Sequence, residues 1–247
     1  MPKLSIITIN RNNAVRLRHT MESVYTQRYT DVEYIVIDGA STDDSVSVIQ
    51  SYATKNVRLP LRWLSESDMG IYNAMNKGLG LATGEYCLFL NSGDCLVDKY
   101  VLEKVVPLLN GADVYYGDAV FSQEKKILKR TYPDKLILDF FYNDSLCHQA
   151  VFYKRELLRQ HGGYDETYRL IADWVLNVQL FRGKYSMEHI PILIADYDTA
   201  GMTGGSIGYE KCRVERERYY KENGLWYIHQ WMWIKRKWKQ FLPYVNK

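Results

Sequence analysis

Nowhere does the 247-residue chain carry an apolar run near the ~18 residues needed to cross a bilayer. Its four cysteines, Cys87, Cys95, Cys147 and Cys212, form no C-x-x-C pair and no zinc spacing. Reduced, mostly buried thiols are expected instead. The start, MPKLSIITIN, enters an apolar strand at once, with no basic segment leading a long apolar one, so no secretory signal is expected. Together these features predict a cytoplasmic protein. Net charge is only +3, which excludes nucleic-acid binding driven by charge alone. Repeats, low-complexity tracts and a Pro/Gly linker between domains are also missing, so one domain is expected.

At 47% hydrophobic, the chain has ample material for one large core. Leu4–Asn10, Tyr34–Asp38, Leu61–Leu64 and Tyr86–Leu90 read as strands. Helices are expected over Ala14–Tyr25, with Asn12 and Asn13 at its cap, after the turn Gly39–Asp44 with an acidic first turn, and within Asp68–Leu81. This alternation predicts βαβ units and an α/β fold with a mostly parallel, Rossmann-like central sheet. After Asp94 the pattern loosens. Asp113–Gly117, Gln149–Tyr153 and Ile192–Tyr197 read as further strands in a less regular half.

In an open parallel sheet, ligands bind beyond the carboxyl ends of the strands. Three strands end in suggestive residues: Thr8, Asn10 and Arg11 after the first, Asp38 after the second, and Asn91-Ser92-Gly93-Asp94 after the fourth. A carboxylate on a rigid strand tip, with a glycine before it for close backbone approach, can hold a hard cation against a diphosphate. Taken singly, each is more often a turn or cap residue, and Asp38-Gly39 alone is a common turn signal. A dinucleotide-binding site is excluded because NRNN stands where G-x-G-x-x-G would follow the first strand. The P-loop pattern is missing too.

SIITINRNN, then YIVIDGASTDDS, then SESDMGIYNAMNKGLGLATGEYCLFLNSGD closely resembles the family 2 glycosyltransferases of the non-processive bacterial type, which have the GT-A nucleotide-sugar fold. The resemblance is strong over about the first 100 residues and continues more weakly to about residue 205. It implies an inverting transfer of a sugar from a nucleotide-sugar, in particular a UDP-sugar, to an acceptor hydroxyl. Thr8, Asn10 and Arg11 would line the nucleotide site, and Asp38 would accept from the uracil N3–H. Asp68, Asn76 and Lys77 would contact ribose or diphosphate. Asn91 to Asp94 matches the family's metal-binding stretch, with Asp94 the ligand of a divalent metal, Mn²⁺ or Mg²⁺. Ile171-Ala172-Asp173-Trp174 matches the acidic motif at a helix start, which makes Asp173 the catalytic base. Ala200 to Ser206, with Gly204 and Gly205, resembles the mobile glycine-rich segment near the donor phosphates. His148 and Gln149 are candidates for acceptor or phosphate contact, beside the commoner role of a structural histidine.

Two departures stand out: Asn-Ser-Gly-Asp keeps one carboxylate where many relatives have two or three, and Met75 stands where many have Arg. Processive relatives carry Gln-x-x-Arg-Trp and membrane spans, whereas Gln179 to Arg182 is followed by Gly183 here, so single addition is expected. Two other readings stay open: a non-catalytic sugar- or lipid-binding adaptor on a decayed transferase fold, and a sugar-1-phosphate nucleotidyltransferase, against which the missing glycines after the first strand count.

The transferase domain is expected over residues 1–207, followed by a basic, aromatic helical extension over 208–247. That extension holds ten Lys and Arg against four Glu, a net +6, leaving −3 on the rest. Within 226–242, Tyr227, Trp231, Ile234, Trp238 and Phe241 fall on one helical face, flanked by Lys235, Arg236, Lys237 and Lys239. Such a helix suits the surface of an anionic membrane, which would put the protein on the inner face of the cytoplasmic membrane with a lipid-linked saccharide as acceptor, in cell-surface polysaccharide or glycolipid assembly. Docking on its own domain or on a second subunit is the alternative.

Overall fold

Strand β1 (Leu4–Asn10) is buried at all seven positions, as a strand covered on both faces must be. Helix α1 (Ala14–Tyr25), β2 (Val32–Asp38), α2 (Ser45–Lys55), β3 (Leu61–Ser65), α3 (Ile71–Leu81) and β4 (Tyr86–Phe89) follow. β2 and β4 flank β1 and β3 lies outside β2, all parallel. Their carboxyl ends therefore share one edge. This is a computed structural model, and it describes residues 2–55, 59–123, 126–198, 205–225, 227, 230–231 and 234.

The second half adds β5 (Cys95–Leu96), α4 (Val101–Val105), β6 (Val114–Gln123), β7 (Lys126–Arg130), α5 (Leu138–Asn143), β8 (Val151–Lys154), α6 (Arg155–Gln160), α7 (Ala172–Arg182), β9 (Met187–Asp198) and α8 (Gly205–Glu222). Short 3₁₀ turns span Val106–Leu108 and His148–Ala150. β8 pairs antiparallel with both β4 and β6, which turns the sheet from parallel to mixed. The order is β3-β2-β1-β4-β8-β6-β9-β5, with β7 a hairpin partner of β6.

The α/β fold with a mostly parallel central sheet is as expected, and several boundaries differ. Gln149–Tyr153 was expected to be all strand, yet His148–Ala150 forms a 3₁₀ turn and the strand starts at Val151. The expected strands at 113–117 and 192–197 are the ends of longer ones, because β6 and β9 pair along most of their length. Asp43 and Asp44 precede α2 instead of forming its first turn. Asn13 makes no side-chain cap on α1 either: Asp43 Oδ2 accepts from the Ala14 N–H at 2.9 Å and caps it from the neighbouring loop.

Helix α8 starts before the expected junction at 207/208 and packs back on the domain. Tyr219 and Tyr220 are buried edge-on against Trp174 of α7, with centroids at 5.2 and 5.8 Å. Glu215 of α8 accepts from the N–H groups of Arg169 and Leu170. Beyond it, Tyr227, Trp231 and Ile234 are helical and exposed, while Trp238, Phe241 and the basic run 235–239 lie outside the described residues. No helix among the described residues is long and apolar enough to cross a membrane.

Candidate active site

The loops after β1 and β2 are laced together by the asparagines of NRNN. Asn10 Nδ2 donates to Asp38 Oδ1 at 2.9 Å. The Asn12 N–H donates to Ser41 Oγ at 2.8 Å, and Asn12 Oδ1 accepts from the Thr42 N–H at 2.7 Å. Asn12 and Ala40 hold positive φ of 48° and 53°, which this lacing enforces.

Asp38 is the centre of the cluster and fully buried. Its Oδ1 accepts from Asn10 and from Ser41 Oγ (2.5 Å), and its Oδ2 from the Ser41 N–H (2.9 Å) and Ser65 Oγ (2.7 Å). Burial pushes its pKa up, but these donors outweigh it and hold the carboxyl below its usual value. A base N–H would meet an oxygen pair that already has four donors. Thr8 is likewise turned inward: its Oγ1 donates to the Leu90 carbonyl at 2.7 Å and lies 3.0 Å from Tyr34 Oη.

Arg11, Gly39 and Asp68 do converge. The exposed Arg11 guanidinium lies 3.8 Å from Asp68 Oδ1, and Asp68 is almost buried. A Cβ on Gly39 would collide with Asp68 Oδ2 and press on Arg11 Cδ. Gly39→Ala is therefore expected to displace the almost buried Asp68 side chain, to weaken nucleotide binding about tenfold and to cost about 1–3 kcal/mol of stability, as overpacking does. Titration calorimetry with UDP beside a thermal melt checks this.

Asn76 and Lys77 are engaged elsewhere. Both ends of the Asn76 amide bond the backbone of Tyr164 at 2.8 Å, and its Nδ2 also reaches Glu166. Lys77 Nζ donates to the Ser67 carbonyl and to Glu66, each at 2.7 Å. Met75 is fully buried in the core, so α3 presents an apolar side chain inward where many relatives carry Arg.

At the tip of β4, Gly93 has φ +109°, open to glycine and strained for other residues, and its N–H donates to Thr20 Oγ1 of α1 at 2.9 Å. The next residue, Asp94, is buried and its Oδ2 accepts from Gln149 Nε2 at 2.7 Å. The turn also holds two buried oxygens without a hydrogen-bond partner, Asn91 Oδ1 and Ser92 Oγ. One carboxylate and two neutral oxygens on one turn are of the chemistry that suits a hard cation such as Mg²⁺ or Mn²⁺. No group of three or more His, Cys, Asp or Glu side chains placed to hold a metal ion is found among the described residues.

Asp173 lies in the first turn of α7, as expected. His148 Nδ1 is 3.1 Å from its Oδ2, and Tyr72 Oη donates to its Oδ1 at 2.8 Å. His148 Nε2 is 3.0 Å from Asn91 Nδ2. With that amide donating, Nε2 accepts and the imidazole proton sits on Nδ1, donated to Asp173. Burial pushes the Asp173 pKa up, but the hydrogen bonds from His148, the Tyr72 hydroxyl and the Trp174 backbone N–H bring it below its usual value. Tyr72 itself is held protonated by burial and by the Asp173 charge. The adjacent residues His148 and Gln149 thus reach one carboxylate each, Asp173 and Asp94. Tyr72, Ser41 and Ser65 were missed in the sequence, where no spacing marks them. Gly204 lies outside the described residues, and Gly205 begins α8.

Comparison with known proteins agrees with this architecture. Residues 5–162 match the family model for glycosyl transferase family 2. A PGL/p-HBAD biosynthesis glycosyltransferase of Mycobacterium bovis (strain BCG / Pasteur 1173P2) is 30% identical over 211 residues, 83% of this chain and 80% of that protein. A GalNAc(5)-diNAcBac-PP-undecaprenol beta-1,3-glucosyltransferase of Campylobacter jejuni is 30% identical over 129 residues, 52% of this chain and 42% of that one. Among solved structures, S. aureus TarS 1-349 in complex with UDP superposes with a TM-score of 0.64 at 18% identity, covering 79% of this chain and 60% of that 1-349 chain. The mannosyltransferase PcManGT from Pyrobaculum calidifontis, in complex with GDP-Man and Mn²⁺, gives 0.65 at 20%, covering 87% and 61%. The chain belongs to glycosyl transferase family 2 and is a glycosyltransferase.

Proposed function

We propose that the enzyme transfers a sugar from a UDP-sugar to an acceptor hydroxyl with inversion, and that Asp173 is the general base. The observation that carries this reading is the hydrogen-bonded series Asn91, His148, Asp173, Tyr72, which ties a carboxylate at a helix start to the strand tip that holds Asp94. The acceptor oxygen forms its bond to the anomeric carbon as the bond to the diphosphate oxygen breaks on the opposite face. The hydroxyl proton passes to Asp173, whose oxygens are aimed by His148 and Tyr72. Arg11 and Asp68 line the nucleotide end. Asp38 braces that end by locking the two loops together, and the four donors it already holds argue against a direct bond to the base. Asn91, Ser92 and Asp94 would hold a divalent metal, which when bound offsets charge on the leaving diphosphate.

Calorimetry with UDP, GDP and CMP, with and without Mn²⁺, tests the donor. UDP is expected to bind best, Mn²⁺ to tighten it, and Asp94→Ala to abolish the metal effect. Equal binding of GDP and UDP would remove the UDP assignment, and no nucleotide binding at all would remove the donor site assigned to Arg11, Asp68 and Asp94.

The Campylobacter relative's name includes a PP-undecaprenol-linked saccharide, and the mycobacterial one names PGL/p-HBAD biosynthesis. A lipid-linked acceptor in cell-surface glycan or glycolipid assembly is the matching proposal here. The exposed Tyr227, Trp231 and Ile234 would rest on the membrane. Flotation with vesicles containing phosphatidylglycerol should carry the wild type upward and leave behind the chain with these three changed to Ser. Equal flotation of both would remove membrane contact through this face.

A further inference from the structure

A cavity of about 590 Å³ opens between the start of α3, residues 166–170 and α8. That volume falls within the ~300–1,000 Å³ usual for ligand pockets. Its walls are mainly Met69, Ile71, Tyr72, Leu170 and Val214. Met69 is 80% and Val214 55% exposed, a large apolar outlay for a surface. The carboxylates around it are used within the protein: Glu166 by Asn73 and Asn76, Glu215 by the Arg169 and Leu170 N–H groups, and Glu210 by Arg213. Arg169 and Lys211 also line the cavity, yet most of the surface it offers a ligand is apolar.

Its position says which ligand. One wall is the segment Met69 to Tyr72. Immediately before it, Asp68 sits against Arg11 and Gly39 at the nucleotide end. At its far end, Tyr72 lines the cavity and donates its hydroxyl to Asp173. The cavity thus flanks the short span between donor cluster and base, where an accepting hydroxyl has to stand.

We propose that this cavity binds the apolar aglycone of the acceptor, an aryl or alkyl group joined to the accepting sugar, an inference that rests on the transferase reading above. The enzyme then selects its acceptor by the hydrophobic group beside the sugar as well as by the sugar. Seating that group against Tyr72 brings the attached hydroxyl toward Asp173 and restricts its motion there.

The test uses the neutral fluorescent probe N-phenyl-1-naphthylamine with the full-length protein. One saturable site is expected. Octyl glucoside below its micellar concentration should displace the probe and methyl glucoside should not. Met69→Glu and Val214→Glu, both at exposed positions, should each weaken probe binding about tenfold, the equivalent of losing one buried aliphatic side chain. UDP affinity should stay within twofold in both variants. Probe binding that is absent, or unchanged in both variants, overturns the proposal. So does binding that appears only after Tyr227 and Trp231 are changed to Ser, since the chain's own C-terminal segment would then be the occupant. Probe binding that behaves as expected in a protein that binds no nucleotide would instead refute the transferase reading, and with it the assignment of the occupant as an acceptor.

Discussion

Asp173→Asn is expected to lower kcat by about 10²- to 10⁴-fold, the usual contribution of a positioned general base, with UDP affinity within twofold of wild type. Asparagine keeps the shape and can still accept from either Tyr72 Oη or His148 Nδ1, though not from both, and it has no basic oxygen for the acceptor proton. A decisive companion is a pair of changes at His148. An asparagine amide nitrogen sits where imidazole Nδ1 does and can donate, and a glutamine amide oxygen can sit where Nε2 does and accept from Asn91. His148→Asn therefore keeps the donor to Asp173 and gives up Asn91, while His148→Gln does the reverse. Both remove the ring, so a merely structural histidine would make them equal. Because His148 aims the base, His148→Asn is expected to retain kcat within about tenfold and His148→Gln to lose about 10²-fold, with little change in KM for the donor. The pH profile adds a sign. Asp173 works deprotonated, so rate falls as pH drops through its pKa. Losing the His148 donor raises that pKa, because this bond helps hold it down. The acid limb should move to higher pH in His148→Gln and stay near wild type in His148→Asn. Equal kcat and equal acid limbs in the two variants would reduce His148 to packing.

The largest stability effect is expected at Asp38. Asp38→Ala removes the common acceptor of Asn10, Ser65 and both donors of Ser41, and leaves them facing a buried hole. An unmet buried donor costs about 1–3 kcal/mol, and part of this group can turn to water, so about 3 kcal/mol in total is expected. For a chain of this size that lowers Tm by about 6–12 °C. Ser65→Ala removes one donor only and should cost about 1 kcal/mol. The same carboxylate gives a pH signature. Its folded pKa is depressed, so its stabilisation is complete above the unfolded carboxylate value near 3.9 and is lost as pH falls through the lower folded value. Wild type should lose stability over that acid range more steeply than Asp38→Ala. A drop of under 1 kcal/mol in urea unfolding of Asp38→Ala would show the loops hold without it.

Alternation of apolar and amphipathic segments determined β1, β2, β4 and α1 within the chain itself, to within about two residues. These elements are local, and a strand covered on both faces has to be continuously apolar. Asp173 was singled out only through the likeness of Ile171–Trp174 to the family's acidic motif, and α7 places it in the first turn. The order of the strand-tip residues Asn10, Asp38 and Asn91–Asp94 carried the family likeness, since parallel strands bring their carboxyl ends to one edge wherever the chain supplies them.

Only the tertiary structure decided what each of those residues bonds. Asp38 looked like an open acceptor in the sequence and is closed by Ser41 and Ser65, the second of which comes from β3. Asn76 looked like a ligand residue and is a clamp for residues 164–166, which lie far along the chain. Gln149 looked like the start of a strand, with His148 just ahead of it. They form a 3₁₀ turn instead, because β8 pairs antiparallel with β4 and β6 from Val151 onward and leaves them ahead of the ladder, facing Asp173 and Asp94. Tyr72 carries no pattern at all, and its role arises where α3 meets the start of α7. Local periodicity is written every few residues along the chain, whereas a hydrogen bond across 101 residues, such as Tyr72 to Asp173, exists only once the sheet has set both ends in place.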